Sequence, residues 1–244
     1  MFDFIRKLFS TKARVEGNAM FPVEPVPDMP FACVAVRGAE VAAKIRELAR
    51  PGLVPVLLGD RTSLEMLVEI MSQNEQSPEE IRDEGLQLDV DGWVAQYYRE
   101  GPEPPVVDDQ QIGEIKSIVL FDPAYDFSTS KPLQEIFVGL IPADPPWLVP
   151  AYLKPGDWNS CPSPAVHLAF FKRWFERYGA QVVTVSHDVI EFVVERPPTT
   201  QEAARQLALE QYAYCPDLVD QGVGTVGNLT AMLQNSRAWY FWWD

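Results

Sequence analysis

The chain has 244 residues, of which 35 are acidic and 20 are basic, so its formal net charge is −15. An apolar fraction of 47% is sufficient for a hydrophobic core, and a charged fraction of 23% is ordinary for a globular protein, which excludes global disorder. The excess of acidic over basic residues argues against a nucleic-acid-binding protein, because contacts with phosphates require clusters of lysine and arginine.

The N-terminal segment, residues 1–14, has apolar residues at helical spacing and basic residues between them. We expect a helix that docks on the body of the protein or on a partner subunit; the alternative is contact with an acidic membrane surface, the only membrane contact that the sequence suggests. Residues 21–30 contain four prolines and are expected to form an extended linker. Residues 1–30 are therefore assigned as an amphipathic helix and a proline-rich linker.

The region 31–134 alternates between strand and helix patterns, which indicates α/β structure. Thr62 and Glu65 have capping-box spacing and predict a helix that begins near Thr62. The other predicted elements are strands at 31–36, 53–58 and 115–121 and helices at 39–49, 78–84 and 91–99.

Most of the net charge lies in the acidic segment 75–126, which has fourteen acidic and three basic residues. This segment is either a solvated face or mobile loop, or a docking surface for a basic protein, as an inhibitor or immunity protein would use. Asp89 and Asp91 also resemble a fragment of a calcium loop, but its third acidic ligand and final glutamate are missing. The candidate binding residues are Glu79, Glu80, Asp83, Glu84, Asp89, Asp91, Asp108 and Asp109.

The region 135–244 begins with a predicted strand at 135–141 and continues with a helix from Ser163 to Tyr178 that ends at Gly179. Two β-rich runs, separated by His187 and Asp188, then predict a hairpin. The remaining predicted elements are a helix with a capping box at Thr199 and Glu202, a helix at 228–233 and an aromatic strand at 239–243. Taken together, the elements predict an α/β or α+β fold with a mixed sheet flanked by helices.

Three aromatic-rich blocks of this region follow one another in a distinctive order: FFKRWFERYGA, ERPPTTQEAARQLALEQYAYCPD and WYFWWD. In this combination the C-terminal 110 residues or so, beginning near Phe137, resemble the bacterial domain-of-unknown-function family DUF4253. The resemblance implies a fold unit and a bacterial context, and it implies no reaction.

The polar loop 156–162 is the candidate catalytic site. Cys161 precedes His167 by six residues near a helix N-terminus, where a thiolate is favoured, and Asp157 or Asn159 could orient the histidine. The alternative is structural, with turn hydrogen bonds from Asp157 and Asn159, a packed thiol, and His167 at the edge of the core. The three cysteines, Cys33, Cys161 and Cys215, are too scattered for a disulfide framework or a zinc site, and they suggest a reducing cytosol.

The aromatic C-terminal tail also allows two interpretations. Trp239, Trp242 and Trp243 form either a hydrophobic or cation-binding patch, or a closing strand buried in the core. Tyr212 and Tyr214 either line a cleft or pack against that strand.

The sequence has no GxxxxGK[ST], no GxGxxG after a predicted strand, no GxSxG and no HExxH, so it gives no basis for nucleotide hydrolysis, classical dinucleotide redox chemistry or serine-hydrolase catalysis. We expect no cofactor and no metal. The favoured hypothesis is a cytoplasmic, non-enzymatic protein that binds a basic partner through its acidic surface. The alternative is an enzyme that uses the loop 156–161 with Cys161 and His167.

Overall fold

A computed structural model describes residues 29–100, 107–113 and 117–244 of the chain. The predicted helix at 1–14 and nearly all of the linker at 21–30 lie outside these residues. Within the part of the chain that is described, no helix is long and apolar enough to cross a membrane.

Six strands form one mixed sheet, in the spatial order β1, β3, β2, β4, β5, β6. Strands β2 and β4 are parallel, and the other neighbouring pairs are antiparallel. The strands are β1 (Cys33–Val36), β2 (Val54–Gly59), β3 (Ile136–Ile141), β4 (Ala180–Val185), β5 (Val189–Val194) and β6 (Ala238–Trp242). Because β3 lies between β1 and β2, the regions 31–134 and 135–244 contribute to the same sheet. The predicted fold class is confirmed, and the division into regions stays a sequence-based prediction.

Helices flank this sheet. Those found among the described residues are α1 (Val41–Leu48), α2 (Arg61–Gln73), α3 (Pro78–Gln87), α4 (Val90–Glu100), α5 (Val149–Leu153), α6 (Pro164–Tyr178), α7 (Gln201–Tyr214) and α8 (Val226–Leu233). A π-helical turn, Leu218–Val223, joins α7 to α8. The Ser163 hydroxyl caps α6, and Gly179 ends the helix in the left-handed conformation, as the sequence predicts for this glycine.

Two helix caps differ from the prediction. Helix α2 is capped by Asp60, whose side chain accepts a hydrogen bond from the Ser63 amide at 2.9 Å, because the chain turns into the helix directly after β2. Helix α7 is capped by Thr200, since Thr200 is the last residue with extended backbone before the helix. The predicted caps at Thr62 and Thr199 are therefore wrong.

The predicted strand at 115–121 is also wrong for its described residues, 117–121, which form no strand. Phe121 has a left-handed backbone (φ 67°), and a 3₁₀ turn follows at Asp122–Ala124. The amides of Phe121 and Asp122 donate to the carboxylate of Glu191 in β5, at 2.8 and 3.1 Å. The buried carboxylate of Glu191 therefore accepts the hydrogen bonds of these two amides. In a strand, the amides would instead donate to the backbone of a neighbouring strand.

The C-terminal tail is part of the core. Along β6, Trp239 and Phe241 are fully buried whereas Tyr240 and Trp242 are half-buried, the alternation of a strand with one face on the core. The Phe241 ring stacks on Trp174 of α6, with centroids 5.2 Å apart and an interplanar angle of 8°. Trp239 and Trp243 are therefore buried in the core, whereas Trp242 remains partly accessible.

Candidate functional site

The loop between α5 and α6 carries the predicted catalytic candidates. Its backbone is left-handed at Gly156, Asp157 and Asn159, with φ values of 95°, 64° and 45°. The Asp157 amide donates to the Pro162 carbonyl at 3.2 Å. A Cβ atom on Gly156 would lie 1.7 Å from that carbonyl oxygen and 2.8 Å from Nε2 of His167, so only glycine fits. The loop is folded tightly over His167.

Asp157 and Asn159 do not orient the histidine. Both residues are exposed, and neither side chain forms a hydrogen bond with His167. The Asn159 amide instead donates to the carbonyl of Asp244 at 2.9 Å and so holds the C-terminal residue against the loop.

The structure does bring Cys161 and His167 together, but in the interior. Cys161 Sγ lies 3.6 Å from Nε2 of His167, and Nδ1 lies 2.5 Å from the hydroxyl of Tyr214. His167 and Tyr214 are fully buried and Cys161 nearly so. Burial lowers the pKa of His167 to about 3 and raises the pKa of the Cys161 thiol. Both groups are therefore neutral, and the thiolate–imidazolium pair that cysteine catalysis requires is disfavoured.

This burial predicts slow thiol chemistry. Cys33, Cys161 and Cys215 are free and buried, so a thiol-reactive probe should modify all three slowly in the native chain and rapidly in urea. Mass spectrometry of a labelling time course measures the three rates separately. Native-state labelling of Cys161 much faster than the other two would instead identify an activated thiol.

Helix α3 carries four of the eight predicted acidic binding residues. Ile81 and Gly85 face the protein: a Cβ on Gly85 would lie 2.6 Å from the Ala165 carbonyl of α6. All four carboxylate residues are exposed: Glu79, Glu80, Asp83 and Glu84. Glu80 also belongs to a capping box, in which its carboxylate accepts from the Ser77 amide at 2.7 Å.

The other four acidic residues are exposed too, but two of them already have basic partners. Asp91 pairs with Arg173 of α6, and Asp109 accepts two hydrogen bonds from Arg205 of α7, at 2.9 and 2.8 Å. Asp108 accepts a hydrogen bond from the Gln110 amide at 2.9 Å. We call Glu79, Glu80, Asp83 and Glu84 the acidic face of α3. Apart from the contact between Asp83 and its neighbour Arg82, this face has no basic partner among the described residues, whereas Asp91 and Asp109 pair with arginines of other helices.

A third location, which the sequence reasoning missed, is a cavity of about 650 Å³ at the carboxyl ends of the parallel strands β2 and β4. We call it the β2–β4 pocket. Asp60 and Ser63 follow β2, and His187 and Asp188 follow β4; Asp122, Tyr240 and Trp242 also line the pocket. Ligands of α/β proteins commonly bind at this end of parallel strands. The sequence feature that could have predicted this pocket is the presence of polar residues directly after each strand. The sequence did not show, however, that the two strands are neighbours.

Hydrogen bonds link the polar residues of this pocket. Ser63 Oγ lies 2.8 Å from Nδ1 of His187, and the same nitrogen lies 3.2 Å from Oδ1 of Asp188. The Ser186 hydroxyl donates to Asp188 at 2.9 Å. Glu191 is fully buried, and its pKa is raised to about 7 by burial, while hydrogen bonds from Thr184 and the amides of Asp122 and Phe121 oppose the shift.

No metal centre is formed within residues 29–100, 107–113 and 117–244: nowhere do three or more histidine, cysteine, aspartate or glutamate side chains converge as possible ligands. Asp89 and Asp91 in particular do not form part of such a group.

By its sheet order and flanking helices, the protein is a mixed α/β protein. Residues 137–244 match the family described as "Domain of unknown function (DUF4253)", which confirms the resemblance carried by the aromatic blocks. The matched part starts within β3 and includes α6, β4, β5, α7, α8 and β6. No curated protein and no solved structure matches the chain.

Proposed function

We propose that the protein is a cytoplasmic, non-enzymatic interaction protein that binds a basic protein through the acidic face of α3, as an inhibitor or immunity protein does. The observation that supports this proposal is the lack of internal compensation on α3. Among the described residues, no lysine or arginine from another element pairs with its four carboxylates, and only the sequence neighbour Arg82 contacts Asp83, at 2.8 Å.

The surrounding charge strengthens the argument. Residues 75–100 contain eight acidic and two basic residues, a net charge of −6 on a short stretch of chain. Charges within a Debye length of about 8 Å act together at physiological salt, so such a surface attracts a basic partner and accelerates its association. Removing these charges should slow association more than it changes the folded protein.

The enzymatic alternative has less support. Its best candidates, Cys161 and His167, are buried and neutral, and Asp157 and Asn159 do not assist them. Catalysis at this loop would require it to open.

Affinity capture from the native lysate tests the proposal. The variant carries Glu79→Gln, Glu80→Gln, Asp83→Asn and Glu84→Gln; glutamine retains the acceptor oxygen of the capping box at position 80. We expect the native chain to recover a basic protein and this variant to lose it, because the long-range attraction has been removed.

The matched control neutralises four exposed glutamates elsewhere: Glu40, Glu65, Glu69 and Glu202, each changed to glutamine. It changes the net charge equally and should retain the partner. If the control loses the partner as completely as the α3 variant, total charge rather than α3 is responsible. Recovery of the same partner by the α3 variant, or of no basic protein by the native chain, would show that the proposal is wrong.

A further inference from the structure

We propose that the β2–β4 pocket binds a small organic cation, an amine attached to an apolar body. Asp60, Asp122, Asp126 and Asp188 line the pocket together with Tyr125, Tyr240 and Trp242, and its lining includes no lysine or arginine among the described residues. Carboxylates and aromatic rings are the two kinds of group that stabilise an ammonium ion in a protein cavity. The proposal is independent of the acidic face on α3.

Asp122 is the residue that points most directly to a cation. Asp122 is an exposed residue, and its carboxylate accepts no hydrogen bond from any described residue, whereas Asp126 accepts from Ser128 and Thr129, each at 2.7 Å. The pKa of Asp122 is raised by desolvation and, secondarily, by the negative charge of Asp188. A bound ammonium would supply an opposite charge beside Asp122, whereas Asp188 already lies 3.2 Å from Nδ1 of His187.

The backbone of Asp122, though not its carboxylate, is held in place before binding. Its backbone amide donates to Glu191 at 3.1 Å, and Glu191 is fully buried in β5. Asp188 is likewise held, by the Ser186 hydroxyl at 2.9 Å. Preorganised acceptors lose little conformational freedom on binding, which favours affinity for a small ligand.

An adjoining cavity indicates the apolar body. A side slot of about 300 Å³ shares Asp122, Tyr240 and Trp242 with the pocket, and its other lining residues include Leu218, Val223 and Met232. A ligand with its ammonium group at Asp122 can therefore place an apolar group in the side slot. Burial of that group contributes affinity in proportion to the apolar area removed from water.

Ser63 and His187 raise the question of acyl transfer, since a hydroxyl 2.8 Å from an imidazole nitrogen is the arrangement of a nucleophile and its base. The electrostatics oppose it. Acyl transfer needs donors that stabilise an oxyanion, but Asp60 occupies the N-terminus of α2 and accepts the Ser63 amide, and further carboxylates surround the cavity. The same charges that would repel an oxyanion attract an amine.

Titration of the full chain with phenethylamine, followed by isothermal calorimetry in about 0.15 M salt, tests the inference. We expect saturable binding with one ligand per chain and no binding of 3-phenylpropionate, which has the same ring and chain but a negative charge. Asp122→Asn should weaken phenethylamine binding at least tenfold, and the double variant with Asp188→Asn should weaken it further. Because Asp122 makes no side-chain hydrogen bond, the single variant should retain the native melting temperature.

The α3 variant described above serves as the control and should bind phenethylamine like the native chain. The control separates the two proposals. The α3 face can fail to bind a basic protein while the pocket still binds amine, and the pocket can fail to bind amine while the α3 face still binds a basic protein. The inference is overturned if phenethylamine does not bind saturably at millimolar concentration. Equal binding of amine and carboxylate, or unchanged amine affinity in the folded Asp122→Asn protein, would overturn it as well.

Discussion

Replacing Trp174 with alanine is expected to lower the free energy of unfolding by about 4 kcal/mol, within the range of about 3 to 5 kcal/mol for buried aromatic residues. Trp174 is fully buried in α6, and its indole nitrogen donates to Glu210 of α7 at 2.6 Å. Its ring contacts those of Phe170, Phe192, Tyr214, Trp239 and Phe241, with centroids 4.9 to 5.7 Å away. The truncation therefore leaves a cavity where α6, α7, β5 and β6 meet.

Urea unfolding monitored by circular dichroism measures this effect. The control is Trp147→Ala, which removes the same side chain from a half-buried site and should cost about 1 to 2 kcal/mol. Similar losses for the two variants would mean that the aromatic cluster around Trp174 does not stabilise the fold more than an ordinary contact.

The second large effect is expected for Gly156→Ala, which should lower the free energy of unfolding by at least about 3 kcal/mol. Gly156 has a positive φ, which costs alanine about 1 kcal/mol. The added methyl group would also lie 1.7 Å from the Pro162 carbonyl oxygen, so the loop must move away from His167. The substitution therefore displaces the loop that covers the buried Cys161–His167 pair.

Gly52→Ala separates the two contributions. Gly52 also has a positive φ, of 76°, but a Cβ atom there meets nothing within 4 Å. It should therefore show only the cost of the backbone conformation. If Gly156→Ala is no more destabilising than Gly52→Ala in the same urea experiment, the tight closure over His167 is absent in solution.

The sequence predicted those elements whose signals are local. The glycine after Tyr178 and the β-rich runs on either side of His187 and Asp188 lie within or beside the elements that they define. The predicted strand at 115–121 failed because its apolar pattern is local, whereas the acceptor of its amides, Glu191, lies 70 residues away. Sequence patterns carry no information about such a partner.

The same limit applies to the candidate sites. The spacing of Cys161 and His167 correctly suggested that they lie close together, but their burial depends on Tyr214 and Trp243 from distant elements. The charge of the acidic segment was evident, yet the pairing of Asp91 with Arg173 and of Asp109 with Arg205 was not. The β2–β4 pocket required the strand order, which joins residues about 120 positions apart, as in the contact between Ser63 and His187.

The central claim, that the α3 face recognises a basic protein by charge, is tested most directly by the salt dependence of that binding. Biolayer interferometry with the purified captured partner should give an affinity for the native chain that falls steeply as salt rises. The variant neutralised at Glu79, Glu80, Asp83 and Glu84 should bind at least tenfold more weakly at low salt and show a shallower salt dependence. The same affinity and the same salt dependence in the native chain and this variant would contradict the claim.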